Sequence, residues 1–306
     1  MKRVFILVFI LLIGISSRAQ EKLVPLGDPF IMLHKGIYYA YGTNAADGIQ
    51  VYTSNDLMEW SLEPDLALKS ADSWGGKWFW APEVYYIKEK KKFFMYYSAN
   101  EHICVASSDS PIGPFVQEMK APMLPNEKAI DNSLFIDSDG KPYLYFDRFN
   151  DGLNIWVAKL QDDLITIDTN GMKTCIHVSQ DWETVWPRVN EGSFVIQHKG
   201  LYYMTYSANS YESQHYGIGF ATSKSAEGPW TKYDKNPIYQ MPEDLVGVGH
   251  SAMFRDKEGK LRIVFHAHHS KEKIHPRAMY IATVDFSKDK LPVMRITGKV
   301  LRPKLK

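Results

Sequence analysis

Five polar residues head five copies of one pattern. Asp28, Glu83, Asp131, Glu191 and His250 each open a run that reads as a strand, a tight turn and an aromatic-rich second strand, at intervals of 48 to 60 residues. Singly, each acid is explained as a strand-end turn former. Four carboxylates and an imidazole at matching places are harder to explain structurally, because gathered carboxylates raise one another's pKa and oppose folding. Carboxylates that share a pocket suit three chemistries: holding a metal, sharing a proton between paired acids, or hydrolysing a glycosidic bond.

The flanking residues discriminate among these. Trp74, Trp78 and Trp80 lead into Glu83, and Trp182 and Trp186 precede Glu191. Flat indole faces stack on sugar rings and add apolar area to a polar pocket. Any one of these tryptophans could equally fill a core, but together with the carboxylates they favour glycoside hydrolysis. Trp80 lies two residues before Pro82 and close to Glu83, and is expected to line the sugar pocket.

The elements that must position these residues follow from the spacing. Each repeat is longer than one hairpin, and a second alternating run follows each first pair: Ile49–Ser54, Ile103–Ser108, Leu153–Ala158, Ile218–Ser223 and Ala278–Thr283. Gly113-Pro114-Phe115 and Gly228-Pro229-Trp230 carry turn chemistry that opens a fourth strand. Four antiparallel strands repeated five times predict an all-β, five-bladed β-propeller occupying residues 20–306 as a single domain. A β-sandwich accounts for the alternation but not for five copies of one order. In a propeller the first strand of each blade runs beside the central channel, so the five heading residues would form a ring about the axis.

Composition agrees with a large core and excludes some partners. Of 306 residues 45% are hydrophobic and 13% aromatic, and 36 Lys and Arg against 35 Asp and Glu leave a net charge of +1. No basic field exists to recruit nucleic acid. Lys2 and Arg3, the apolar run 4–15 and the small residues Ser17 and Ala19 have the order of a signal peptide over residues 1–19. The run is shorter than the roughly 20 residues a spanning helix needs. The mature chain is therefore expected to be secreted or periplasmic, with no membrane attachment. Cys104 and Cys175, both set among alternating apolar residues, are expected as free thiols.

Five ordered motifs resemble those of glycoside hydrolase family 43: Gly27-Asp28-Pro29-Phe30, Trp80-Ala81-Pro82-Glu83, Ile130-Asp131-Asn132-Ser133, Asn190-Glu191-Gly192 and Gly249-His250-Ser251. The resemblance covers the whole predicted mature chain. It implies a five-bladed propeller and hydrolysis with inversion. It further implies Asp28 as general base, Glu191 as general acid, and Asp131 as the residue that raises and orients the acid. Arg277 matches a late arginine that contacts substrate and could also steady a carboxylate. His250 resembles an axial histidine, which places a structural calcium near it among the expectations; no cofactor is required, and no protein metal ligands are assigned. His266 and His268 would share one strand face without the further ligands zinc needs. Glu83 stands where many members have Asp and joins Trp80, His250 and Arg277 as a substrate-binding residue. The implied partner is an oligosaccharide or polysaccharide of plant type, and the implied enzyme a monomeric α-L-arabinofuranosidase. The alternatives are β-xylosidase, endo-xylanase or endo-arabinanase activity, a non-catalytic carbohydrate-binding propeller, and a protein-binding platform.

Overall fold

Side chains alternate between the two faces of a strand, and here both faces of most strands are buried. The run Lys92–Ala99 has no exposed position. Sheets buried on both sides must stand between neighbours, which a ring of blades provides. The computed structural model describes residues 22–185 and 187–306; the segment 1–19 and Trp186, singled out above, lie outside them.

Five small antiparallel sheets form the propeller. Their inner strands are Gly27–His34, Trp80–Ile87, Ala129–Ile136, Asn190–His198 and Gly249–Arg255. Each pairs with a second strand: Ile37–Thr43, Lys92–Ala99, Pro142–Phe149, Leu201–Ala208 and Leu261–Ala267. Blades 3, 4 and 5 have the expected four strands. Blade 2 departs from four: beyond His102–Ser108 its fourth strand is reduced to a single bridge between Ser107 and Val116, while Phe115 instead bridges Leu68 of blade 1. Blade 1 has five strands, because Lys304–Leu305 pairs in parallel with Glu59–Leu62. The Val24 N–H donates to the carbonyl of Pro303 at 3.1 Å, so the two ends of the described chain meet and close the ring.

The core lies between blades. Phe94, Tyr96 and Val105 of blade 2 interdigitate with Leu134, Leu144 and Phe146 of blade 3. Tyr145, Val157 and Ile176 of blade 3 meet Val195, Met204 and Tyr206 of blade 4. Burying one such side chain is worth roughly 1.5–3 kcal/mol, which lets the ring stand without staples. Cys104 is buried and Cys175 half-buried, and both are free thiols.

One local device recurs in all five inner strands. The register slips between Gly27 and Phe30, Trp80 and Glu83, Ile130 and Ser133, Glu191 and Phe194, and Gly249 and Ala252. The residue in each bulge has positive φ: Asp28 47°, Ala81 43°, Asp131 58°, Gly192 59° and His250 47°. A side chain makes that backbone unfavourable, and bulges of this kind re-aim side chains beside active sites. Each bulge N–H donates to a side chain at the end of the second strand of the preceding blade. Asp28 donates to His266 Nδ1 (3.1 Å), Ala81 to Thr43 Oγ1 (3.0 Å), Asp131 to Ser98 Oγ (2.9 Å), Gly192 to Asp147 Oδ2 (3.0 Å) and His250 to Ser207 Oγ (2.7 Å).

These bulges correct the expected ring. The equivalent stations are Asp28, Ala81, Asp131, Gly192 and His250. Glu191 stands one residue before its bulge, level with Trp80, and Glu83 stands two residues beyond Ala81. Aligning the repeats on their first acid overlooks the extra residue of each bulge, and a slip of one residue changes the face a strand residue occupies.

Candidate active site

The bulges turn Asp28, Asp131 and His250 toward one another, with Glu191 beside them. Asp28 is buried and fully engaged. Its Oδ1 accepts from Arg277 Nη1 at 2.6 Å, and its Oδ2 accepts from Arg277 Nη2 at 3.0 Å and from Thr43 Oγ1 at 2.7 Å. Burial alone would raise its pKa; Arg277, then His250 and His266, more than offset this and hold the carboxyl well below its usual range. Gly27 permits the arrangement, because a Cβ there would lie 2.4 Å from the Arg277 guanidinium. The guanidinium also lies 4.7 Å from the Tyr211 ring centre.

The other acids of the cluster are shifted the opposite way. Glu191 is pushed up to about 7, chiefly by burial, with the Tyr216 hydroxyl opposing the rise and the charge of Asp28 adding to it. Tyr216 donates to Glu191 Oε1 at 2.7 Å, and its ring stacks on His266 at 5.6 Å. Asp131 is raised well above the ordinary carboxylate value by burial and by the charges of Glu191 and Asp28. Gly192, next to Glu191, has its positive-φ backbone against the His250 imidazole, which a Cβ would approach to 3.0 Å.

His250 Nδ1 lies 3.4 Å from Asp28 Oδ1 and 3.8 Å from Asp131 Oδ2, so the ring bridges the two acids. Burial lowers its pKa and keeps it neutral at pH 7. Calcium takes about six to eight oxygen ligands. Among the described residues no group of three or more His, Cys, Asp or Glu is arranged to hold a metal ion. Arg277 already supplies the positive charge Asp28 faces. His266 accepts the Asp28 N–H, whereas His268 lies beyond its strand with Nε2 on the Tyr211 carbonyl at 2.7 Å, so the two serve separate ends.

Trp80 is half-buried and stacks on the exposed Trp78 at 5.8 Å and 17°. The next residue, Ala81, is tied through Thr43 to Asp28. Glu83 is buried apart from this network; its carboxyl accepts from Tyr85 and Ser133, and burial pushes it up to about 8. Trp182 packs on Tyr206 at 6.0 Å and donates to Gln180 Oε1, inside blade 4 rather than over the acids. Sequence reasoning did not single out Tyr216, Thr43 or Asp147. Thr43 and Asp147 could have been found by comparing the ends of the second strands, where Thr43, Ser98, Asp147, Ser207 and His266 are all polar within otherwise apolar runs.

The comparisons agree with this geometry. The chain is 47% identical to a solved endo-1,4-β-xylanase from Bacteroides thetaiotaomicron, with a TM-score of 0.89, over 94% of this chain and 99% of that one. It is 24% identical to a β-D-galactofuranosidase of Aspergillus niger over 82% of this chain and 77% of that protein. It is also 26% identical to an extracellular exo-α-(1→5)-L-arabinofuranosidase of Streptomyces avermitilis, over 80% of this chain and 55% of that protein. The model of glycosyl hydrolases family 43 matches residues 24–292, and the chain belongs to that family.

Proposed function

We propose that this enzyme hydrolyses pentose glycosides of plant-type polysaccharide with inversion, and that an α-L-arabinofuranoside is its substrate. The observation that carries the catalytic assignment is the opposite treatment of two carboxyls. Asp28 is held ionised by Arg277, while Glu191 is raised to about 7 and keeps its proton near neutrality. Pairs of acids pushed apart in this way divide into base and acid. Glu191 gives its proton to the leaving oxygen as the glycosidic bond breaks. Asp28 takes a proton from the water that attacks the anomeric carbon on the opposite face, so the product is inverted. Asp131, which shares a repulsion with Glu191, adds to the rise that burial and Asp28 give the acid and orients it. Trp80 packs on the sugar, and His250 and Arg277 complete the binding surface, while Glu83, buried against Tyr85 and Ser133, supports the blade rather than the sugar.

The arabinofuranoside reading draws on the Streptomyces relative. A second reading, attack on a xylan backbone, is favoured by the 47% identity to the Bacteroides xylanase. The extracellular relative and the charged, apolar and small residues of 1–19 support export, after which the chain acts as a monomer free of the membrane.

Release of nitrophenol from α-L-arabinofuranoside, β-D-xyloside and β-D-galactofuranoside, beside depolymerisation of xylan, tests the sugar. No turnover of any of them returns the chain to the carbohydrate-binding class. Glu191→Gln should lose at least about 10²-fold on natural linkages and less on nitrophenyl glycosides, whose leaving groups need little protonation. A product of retained configuration would overturn inversion.

A further inference from the structure

One carboxyl of the cluster has no part in the scheme above. Asp147 lies two residues before the end of the second strand of blade 3 and is fully buried. At this station the other blades carry Thr43, Ser98, Ser207 and His266, each holding the bulge N–H of the next blade. Asp147 does the same with one oxygen, Oδ2, which accepts the Gly192 N–H at 3.0 Å. The other four stations need no second oxygen. Asp147 has one, and its Oδ1 meets no N–H or O–H among the described residues. The carboxyl of Asp131 lies within hydrogen-bonding reach of the Asp147 carboxyl.

Two ionised carboxylates cannot share a dry contact, and a buried oxygen left without a donor is costly. A single proton between them satisfies both. We propose that Asp147 is a positioning residue of the active site: it carries a proton on Oδ1, donates it to Asp131, and with Oδ2 fixes the peptide beside Glu191. The Asp147 hydrogen bond favours the ionised form of Asp131, and through the repulsion between Asp131 and Glu191 a charge on Asp131 adds to the burial that holds the proton on Glu191.

The surrounding groups fit this state. Asp147 faces Asp131, Glu191 and, from the outermost strand of its own blade, Cys175, whose thiol is held well above its ordinary range. Asp131 faces Glu191, Asp28, Arg277 and His250. Glu191 faces Tyr216, Asp28 and Arg277. Arg277 directs its hydrogen bonds at Asp28 and His266, so within this group no cation hydrogen-bonds the Asp131–Asp147 pair. Burial pushes both carboxyls of the pair upward, which retains a proton between them near neutrality.

The inference rests on Glu191 as the acid, and the test separates the two. Asp147→Asn can accept from Gly192 and donate to Asp131 without titrating. Asp147→Ser keeps the cap, as blades 2 and 4 do, but offers no second polar atom. The alkaline limb of kcat/KM should stay in place in Asp147→Asn. In Asp147→Ser, Asp131 takes up a proton itself, Glu191 no longer faces its charge, and the limb should move about one unit to lower pH. Activity above the limb then falls about tenfold, the ratio one unit carries. If neither variant moves the limb, Asp147 is only a backbone cap and the proposal fails. If Asn moves it as far as Ser, Asp147 contributes charge rather than a proton, and the proposal fails again. An infrared difference spectrum between the wild type and Asp147→Asn reads the same proton without catalysis. The carbonyl stretch of a buried protonated carboxyl should vanish in the variant, and a wild type lacking that band overturns the proposal even if no glycoside is ever turned over.

Discussion

Arg277 grips both oxygens of Asp28, at 2.6 and 3.0 Å, across 249 residues of sequence. Asp28 therefore has a folded pKa below its ordinary value near 3.8. A depressed carboxyl contributes stability that is full above the unfolded value and is lost as pH falls through the folded one. Removing the guanidinium leaves a buried, uncompensated charge, which typically costs about 3–5 kcal/mol. Arg277→Met should lower the urea midpoint at pH 7 by that order, and should raise the acid limb of kcat/KM as burial takes control of Asp28. An acid limb that stays in place would remove Arg277 from control of the base.

Tyr216 donates to Glu191 and works against the rise of its pKa. Tyr216→Phe should therefore move the alkaline limb of kcat/KM above the wild-type position near 7. Loss of one hydrogen bond should cost about 1 kcal/mol of stability. The folded enzyme holds a Glu191 proton that the unfolded chain releases near 4.5, so this group's contribution declines as pH rises from 4.5 toward 7. In the variant that decline should extend to higher pH, which denaturation at a series of pH values measures.

Trp80 stands level with Glu191 on its own blade and is stacked on an exposed neighbour rather than wedged in the core. Trp80→Ala should weaken substrate binding by roughly 1–3 kcal/mol, the worth of an aromatic platform under a flat ring. A core tryptophan would instead cost about 3–5 kcal/mol of stability. Measuring KM beside the urea midpoint separates the two, and a large midpoint loss with unchanged KM would place Trp80 in the core.

Lys232 Nζ is buried between both oxygens of Glu183, at 2.7 Å each, and reaches Asn190 Oδ1 at 2.8 Å. Through Asn190 it steadies the residue preceding Glu191. Lys232→Met strands Glu183 without its partner and should cost about 3–5 kcal/mol, whereas replacing both members with apolar residues of like size should cost far less. Thermal midpoints of the single and double variants decide this, and a mild single loss would argue that water replaces the lysine.

The fold was legible because five repeats each spell two hairpins, and hydrophobic alternation survives any choice of ligand. Asp28, Asp131 and Glu191 were legible because carboxylates at strand starts stand out against apolar runs. Their exact stations were hidden, since a bulge adds a residue without leaving a compositional mark, and Glu83 was set level with Asp28 for that reason. Asp147 was hidden differently: it closes Tyr143-Leu-Tyr-Phe, where an acid reads as a solvent-facing strand end. Trp182 precedes the acid in sequence yet turns into blade 4, because Tyr206 packs on its ring and Gln180 accepts its indole N–H.

The ion pair between Arg277 and Asp28 joins the last blade to the first, and the ring is latched there by Val24 against Pro303. During synthesis, Asp28, Asp131 and Glu191 have all been made well before Arg277 is added. A nascent chain of four blades thus carries every acid of the cluster and an Asp28 without its guanidinium. Hydrolysis can begin only when the fifth blade arrives, so in a refolding experiment the return of activity clocks the closing of the circle, while fluorescence from the blades' own aromatics recovers earlier.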